Sequence, residues 1–304
     1  MTAITVPGGG FTPEIFSQKV NINLDAYGAY NDIVNRKYEG EIKSKGDSVT
    51  IYTLGSLTAV NYDPEATAFA GITYQDPAGE TQKLEVDQQK VIPFKIGDIK
   101  KLQSNIELTN QFALRAGVAA SNVKDAFIHG LAVAGAGTKL NASSAKTLTA
   151  SNIWAEICTL HTTLAKKNAI NKSGLDYSGK RPALVITPDV QGVLLQADEF
   201  FANAFGNEVL RKGQIGHIGI FDVFLDTNIT TASTGTGTAK AYNQTIVALT
   251  SDAISFAEQI TKTETLRDKD EVADFVRVLH VYGGKVVNAD AIVTDKVSVA
   301  SMAA

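Results

Sequence analysis

The chain has 304 residues, of which 44% are hydrophobic and 20% charged, and its formal net charge is −4. Such a composition is that of a globular protein, and the length suits one large domain or two smaller ones. The isoelectric point near 5.6 argues against tight nucleic-acid binding, which needs clustered lysine and arginine. The single cysteine, Cys158, excludes an intrachain disulfide. The N-terminus lacks a basic and then apolar leader, and no run of about 18 apolar residues occurs, so we expect neither export nor membrane insertion.

The first 50 residues predict an extended arm rather than part of a compact core. They open with three glycines, Gly8 to Gly10, followed by Pro13. The apolar residues that follow lie on short segments, and few long apolar runs are present to build a core. Exposed apolar groups of this kind need a partner surface.

Residues 47–89 have a β-type pattern. The segments SVTIYTL and KLEVDQQKVIPFKI both alternate with period two, which predicts two strands. The intervening residues 57–81 are rich in turn formers and small side chains, including Asp63-Pro64 and Asp76-Pro77. We interpret the whole as a long two-stranded excursion. Because an isolated ribbon is marginal in water, it should lean on another chain.

A long helix is predicted to begin after Asp98 as its N-cap and to run for roughly nine turns. A 3,4 spacing places one set of residues on a single face: Ile99, Leu102, Ile106, Thr109, Ala113, Ala116, Ala120, Val123 and Phe127. The alanines in the middle of this face allow another element to approach closely.

The remainder predicts a mixed α/β body. A second helix spans about 152–168 after the cap Ser151, with an apolar stripe of Ile153, Ile157, Leu160 and Leu164. RPALVIT predicts a buried strand, and Thr187-Pro188 opens a helix in cap-then-proline order. NEVLRKG predicts a short helix, while IGIFDVFLDTNI and TIVALTSDAISFAEQ each predict a strand. FVRVLHVYGGKVVNADAIVTDKV predicts two strands joined near Gly283-Gly284.

Candidate chemical motifs are weak. GLAVAGAGTKL lacks the Gly-Lys-Ser/Thr order of a phosphate loop, so we interpret it as a flexible connector. Cys158 and His161 have the spacing of a thiolate–imidazole pair, but a small core cysteine is the plainer interpretation. His129, His217 and His280 stand without paired metal-ligand spacing. We therefore predict no catalytic residue, no cofactor and no metal site.

Tyrosines concentrate in the first quarter of the chain, at Tyr27, Tyr30, Tyr38, Tyr52, Tyr62 and Tyr74. Aromatic side chains on extended segments are typical of interface anchors, and ordinary local packing is the alternative. We predict inter-subunit contacts at Pro13, Ile15, Tyr38, Tyr62, Phe69 and Tyr74.

Six segments, taken in order, resemble the major capsid proteins of tailed bacteriophages. They are TPEIFSQKV, VNRKYEGEIKSKGDSVTIYTL, KLEVDQQKVIPFKIGDIKKLQ, RPALVITPDVQGVLL, VLRKGQIGHIGIFDVFLDTNI and FVRVLHVYGGKVVNADAIV. The resemblance implies an α+β fold with an N-terminal arm (1–50), an extended β loop (51–85) and a peripheral domain with a long spine helix (86–139). An axial α/β domain (140–256) follows, and residues 257–304 return as strands through both domains.

The resemblance also implies a function without catalysis. The chain would self-assemble into the pentamers and hexamers of an icosahedral virion, put together in the host bacterial cytoplasm, and enclose double-stranded DNA without sequence-specific binding. Portal, scaffolding or decoration proteins are further implied partners, and a membrane is not. Two alternatives stay open: an encapsulin-like nanocompartment shell, and an α/β enzyme that uses Cys158 or Asp222.

Overall fold

The structure is a computed structural model, and it describes residues 28–38, 48–53, 59, 74, 79–97, 107–197, 216–229, 232–234, 241–267 and 273–300. Several predictions lie wholly or largely outside these residues: the arm up to residue 27, most of the turn-rich segment 57–81, the helix start at Asp98, and the short helix in NEVLRKG.

Three α-helices lie in the described ranges: α1 (Glu107–Gly135), α2 (Ile153–Lys166) and α3 (Pro188–Leu194). A 3-10 turn covers Ala289–Ala291. The strands are β1 (Ser48–Thr53), β2 (Glu80–Glu85), β3 (Gln88–Gly97), β4 (Thr138–Leu140), β5 (Lys146–Leu148), β6 (Ala183–Ile186), β7 (His217–Ile218), β8 (Phe221–Leu225), β9 (Ala232–Thr234), β10 (Ala241–Leu249), β11 (Ile254–Arg267), β12 (Ala273–Val286) and β13 (Ile292–Ala300).

Within the described part of the chain, these strands form three sheets. The ribbon is the antiparallel pair β1 and β2. The central sheet has eight strands in the order β4-β13-β10-β6-β8-β7, with β5 also on β13 and β9 also on β10. The third sheet has the order β11-β12-β3. Parallel and antiparallel pairs occur together in the central sheet, as mixed helix-and-strand sequences favour.

The main core lies on the central sheet. All four residues of β6 are buried, and the predicted stripe of α2 is confirmed, since Ile153, Ile157, Leu160 and Leu164 are each at most 7% exposed. The N-cap of this helix is Asn152 instead of the predicted Ser151. The side chain of Asn152 accepts a hydrogen bond from Thr149 N at 2.8 Å, which stabilises the turn before the helix.

Helix α1 buries a face that differs from the predicted one in its second half. Ala113, Ala116 and Ala120 are buried as predicted. Val123 is 39% exposed, and the fully buried residue at this level is Lys124. A 3,4 pattern follows a period of 3.5, whereas a straight helix turns every 3.6 residues, so the buried line drifts toward i+4 positions.

The predicted strand KLEVDQQKVIPFKI is in fact two strands that belong to different sheets. β2 pairs with β1, and β3 pairs with β12. Likewise, TIVALTSDAISFAEQ divides into β10 of the central sheet and β11 of the third sheet. Period-two alternation continues across such a change of sheet, so the pattern alone hides it.

The predicted pairing of two C-terminal strands at Gly283-Gly284 is wrong. β12 runs straight through both glycines and pairs with β11 and β3, whereas β13 pairs with β10. A Cβ atom on Gly283 would lie 2.2 Å from Glu85 O. The glycine is needed because the β2–β3 backbone crosses here in close contact, and no turn is present.

We expect Thr187→Val to lower the free energy of unfolding by about 2 kcal/mol. The hydroxyl of Thr187 accepts from Val190 N at 3.4 Å and caps α3. It also donates to the side-chain oxygen of buried Gln244, which valine would leave without a donor. The measurement is urea denaturation of the purified chain.

Thr162→Val is the matched control for this substitution. Its hydroxyl donates to Cys158 O within its own helix at 2.7 Å and is exposed to solvent. A change within about 0.5 kcal/mol is expected, and an equal loss in the two variants would contradict the capping argument.

Candidate functional site

The base of the ribbon packs against its own chain. Val49, Ile51, Leu84 and Val86 form a cluster with Ala257 of β11 and Val281 of β12. The partner surface expected from another chain is thus supplied in part by the third sheet. On the opposite face, Tyr52 is 76% exposed, and Lys83 forms an exposed ion pair with Glu85 at 2.9 Å.

The predicted contact residues lie in different environments. Tyr74 is 88% exposed, whereas Tyr38 is half-buried against the cluster at the base of the ribbon. Pro13, Ile15, Tyr62 and Phe69 lie outside the described residues. Tyr30 is fully buried in the main core, so for this tyrosine the alternative of local packing is confirmed.

A buried ionic cluster joins α1 to the third sheet. Lys124 Nζ contacts Glu258 Oε1 at 3.0 Å, and His280 Nε2 contacts Glu258 Oε2 at 3.1 Å. Arg36 reaches the same carboxylate at 3.1 Å, and Lys124 also donates to the side-chain oxygen of Asn31. Burial alone would raise the pKa of Glu258, but the hydrogen bond from His280 and the charge of Lys124 hold that pKa below its ordinary value.

A second polar cluster lies beside the first on α1 and includes Asp125, which directly follows Lys124. The carboxylate of Asp125 accepts from Ala29 N at 2.9 Å, and Tyr30 Oη contacts His129 Nδ1 at 2.8 Å. Burial, together with the nearby charge of Asp226, raises the pKa of Asp125 to about 6. Burial also lowers the pKa of His129 and raises that of Tyr30. Both groups are thus favoured in their neutral forms, and they share one hydrogen bond between Tyr30 Oη and His129 Nδ1.

A third cluster connects α2 to the central sheet. Asn141 Nδ2 donates to Glu156 Oε1 at 3.1 Å and to Asp295 Oδ1 at 2.7 Å. Lys146 forms an ion pair with Glu156. Burial, together with the charge of the neighbouring Glu156, raises the pKa of Asp295 to about 6. The protonated form of Asp295 is favoured because it avoids a second buried negative charge at this place.

We expect Asp295→Asn to raise the melting temperature above about pH 6. A raised pKa means that the folded chain keeps this proton to a higher pH than the unfolded chain. Stability therefore falls as the pH rises from about 4 to about 6 and stays lower above that range. Asparagine keeps an acceptor for Asn141 but carries no charge.

Calorimetry of both chains from about pH 4 to pH 8 tests this expectation. Asp189→Asn, at an exposed aspartate of α3, is the control and should leave the wild-type pH profile in place. A lower melting temperature of Asp295→Asn at about pH 8 would contradict the expectation.

The residues considered for catalysis do not assemble a site. Cys158 is exposed, so its interpretation as a core residue is wrong, and His161 lies with its ring edge-on to Phe221. Gly137 N donates to Ala289 O at 2.8 Å, and Thr138–Leu140 forms β4 rather than a flexible connector. Within the described ranges no three His, Cys, Asp or Glu side chains are grouped to hold a metal, and no described helix is long and apolar enough to cross a membrane.

Sequence analysis missed the charged groups that organise these clusters. Lys124 interrupts the buried face of α1 between Ala120 and Ile128, and Asp295 interrupts the buried face of β13 between Val293 and Val297. Because charged side chains are almost never fully buried without a partner, such an interruption is a usable signal for an internal ion pair. It does not identify the partner.

No family model and no curated protein matches the sequence. A solved structure from Mycobacterium phage Che8 is 22% identical, with a TM-score of 0.64, covering 97% of this chain and 96% of that one. The capsid structure of cyanophage P-SCSP1u is 13% identical, with a TM-score of 0.63 and coverage of 99% and 93%. A virus-like particle from Pyrococcus furiosus is 12% identical, with a TM-score of 0.56 and coverage of 93% and 98%. The chain has the fold of phage capsid structures, and the predicted α+β class is confirmed.

Proposed function

We propose that this chain is a structural subunit of an icosahedral phage head. The observation that carries the proposal is the extent of the likeness, which covers 97% of this chain and 96% of the structure from Mycobacterium phage Che8. Because the likeness to capsid structures extends over almost the whole chain, it favours a shell subunit over the enzyme alternative, which rests on Cys158 or Asp222 alone. The role is mechanical, and we assign the chain no catalysed reaction.

Assembly follows from the same proposal. Copies of the chain form pentamers and hexamers in the host bacterial cytoplasm and enclose double-stranded DNA in the virion. The net charge of −4 suits a shell that encloses DNA without binding it tightly. Portal, scaffolding and decoration proteins are further proposed partners.

The proposed contacts between subunits lie in the arm (1–50) and the extended loop (51–85). Tyr74 is 88% exposed and Tyr52 of β1 is 76% exposed. Large aromatic groups that the chain itself does not cover are suited to anchor a neighbouring subunit. Pro13, Ile15, Tyr38, Tyr62 and Phe69 also remain proposed contacts.

An encapsulin-like nanocompartment shell is the second candidate, and the likeness to phage capsid structures does not favour it over the first. The two candidates differ in what the shell contains. Particles purified with their neighbouring gene products would hold DNA in the first case and a protein cargo in the second.

Negative-stain microscopy with light scattering tests the proposal on the chain expressed alone and with its neighbouring genes. Closed particles or rings of five and six subunits are expected. A strictly monomeric chain under every condition would refute the shell function and return attention to the enzyme alternative.

The paired variant Tyr52→Ser and Tyr74→Ser tests the contacts. We expect a folded chain that no longer forms particles. Tyr177→Ser is the control, because Tyr177 is 75% exposed but lies away from the ribbon, where its hydroxyl donates to Asn168 O at 2.7 Å. Normal particles from the paired variant would exclude these two tyrosines as anchors.

A further inference from the structure

Residues 28–38, here called the strap, connect two elements that are distant in the sequence. At one end, Ala29 N donates to Asp125 on α1 at 2.9 Å. At the other end, Asn35 N donates to Ile254 O at 2.9 Å, and Phe256 N donates to Asn35 O at 3.0 Å on β11. The strap thus ties the long helix to the edge of the third sheet.

The C-terminal end of the strap is held by opposite charges. Arg36 pairs with Glu258 at 3.1 Å, and the same carboxylate binds fully buried Lys124 at 3.0 Å. Oppositely charged groups in contact favour the ionised carboxylate. The ion pair between Arg36 and Glu258 therefore persists at neutral pH and is lost when Glu258 is protonated.

The N-terminal end has the opposite electrostatic character. Asp125 and Asp226 are 1% and 2% exposed, and their electric fields act on each other. One oxygen of each, Asp125 Oδ1 and Asp226 Oδ2, has no hydrogen-bond partner among the described residues. Two ionised carboxylates in this place repel each other, and each leaves a buried acceptor without a donor. One proton on the pair removes a charge and supplies a donor.

We propose that the strap is a pH-dependent fastening, whose N-terminal end is held on α1 when the buried carboxyl of Asp125 is protonated beside Asp226 and loosens when that proton is lost. The groups that face the pair are Lys124 and His129 of α1 and Tyr30 of the strap. Burial lowers the pKa of His129 and raises that of Tyr30, which favours the neutral form of both and leaves Lys124 as the cation that offsets the second negative charge.

The direction of the pH response follows from the two ends. The pKa of Asp125 is raised from 3.8 to about 6, so the N-terminal end loses stability as the pH rises through this range. The pKa of Glu258 is lowered, so the C-terminal end loses stability only as the pH falls below the ordinary range of a glutamate. The strap is most firmly held in mildly acidic solution. At neutral and higher pH its N-terminal end opens first.

Hydrogen exchange of peptides that cover residues 28–38 tests the proposal. The full chain is measured in one assembly state at about pH 5 and about pH 8, with the intrinsic exchange rates corrected. A pKa shift of about two units sets a ceiling of about 100-fold on the change in the opening equilibrium. Because part of this change is already complete at about pH 5, we expect an increase of about tenfold between the two pH values, with peptides from α2 unchanged.

Asp125→Asn removes the titrating carboxyl and should hold the strap at about pH 8 as firmly as the wild type at about pH 5. Asp226→Asn removes only the contribution of the neighbouring charge and should weaken the response without abolishing it, because burial still raises the pKa of Asp125. Asp32→Asn is the control, since Asp32 is an exposed carboxylate of the strap itself, and it should keep the wild-type response. If one asparagine variant fails to fold, the other carries the test. Equal wild-type protection at the two pH values, or a wild-type response in the folded asparagine variants, would overturn the proposal.

Discussion

Glu258→Gln should lower the free energy of unfolding by about 3–5 kcal/mol, the typical cost of breaking a buried ion pair from one side. The side chain of Glu258 is 6% exposed, and its carboxylate contacts Lys124, Arg36 and His280. Glutamine keeps the shape of the side chain but leaves Lys124, which is 0% exposed, without its negative partner. Urea denaturation of the unassembled chain measures the loss.

The double variant Lys124→Met and Glu258→Gln separates the charge from the shape. It removes both charges and keeps the volume, so most of the stability should return, to within about 2 kcal/mol of the wild type. Glu264→Gln is the matched control in the same strand, because Glu264 bonds Arg277 at 2.6 Å in a half-exposed pair. It should cost less than about 1 kcal/mol. If Glu264→Gln lowered the free energy of unfolding as much as Glu258→Gln does, burial could not be the reason for the large loss at Glu258.

Gly283→Ala should destabilise the chain by at least about 3 kcal/mol or prevent folding. A Cβ atom at this position would lie 2.2 Å from Glu85 O and 2.7 Å from Val86 Cα. Both are backbone atoms, so no side-chain rotation relieves the contact. The ribbon would have to shift away from the third sheet, and its apolar base would be exposed to water.

Gly130→Ala is the opposite case on α1. Nothing lies within 4 Å of a Cβ atom at Gly130, so alanine should stabilise the helix by about 0.5–1 kcal/mol. Thermal denaturation of both glycine variants compares the two environments directly. Similar melting temperatures for the two would contradict the close crossing at Gly283.

Local signals identified several elements from the sequence. Thr187 followed by Pro188 correctly marked the start of α3, because a cap and a proline act on the neighbouring backbone. The apolar stripe of α2 was also correct, since its four members face one core. Such signals depend on residues that lie close together in the chain.

Other signals failed where a distant segment decided the outcome. Gly283 and Gly284 resemble a turn, but Glu85 and Val86, about two hundred residues earlier, require the missing side chain. Val123 fits the apolar face of α1, but Lys124 occupies the buried position because Glu258 and Asn31 lie opposite it. No local pattern carries the identity of such partners.

The sequence by itself determined the α+β class, the strands on either side of the predicted loop, the buried face of α2, the start of α3, and an order of segments that resembles a shell protein. The tertiary structure alone decided which strand belongs to which sheet, which charges are buried together, and where the strap is fastened. The reason is physical: propensity, capping and periodicity act over one or two turns of chain. The pairing of strands and the neutralisation of buried charges depend on groups that only folding brings into contact.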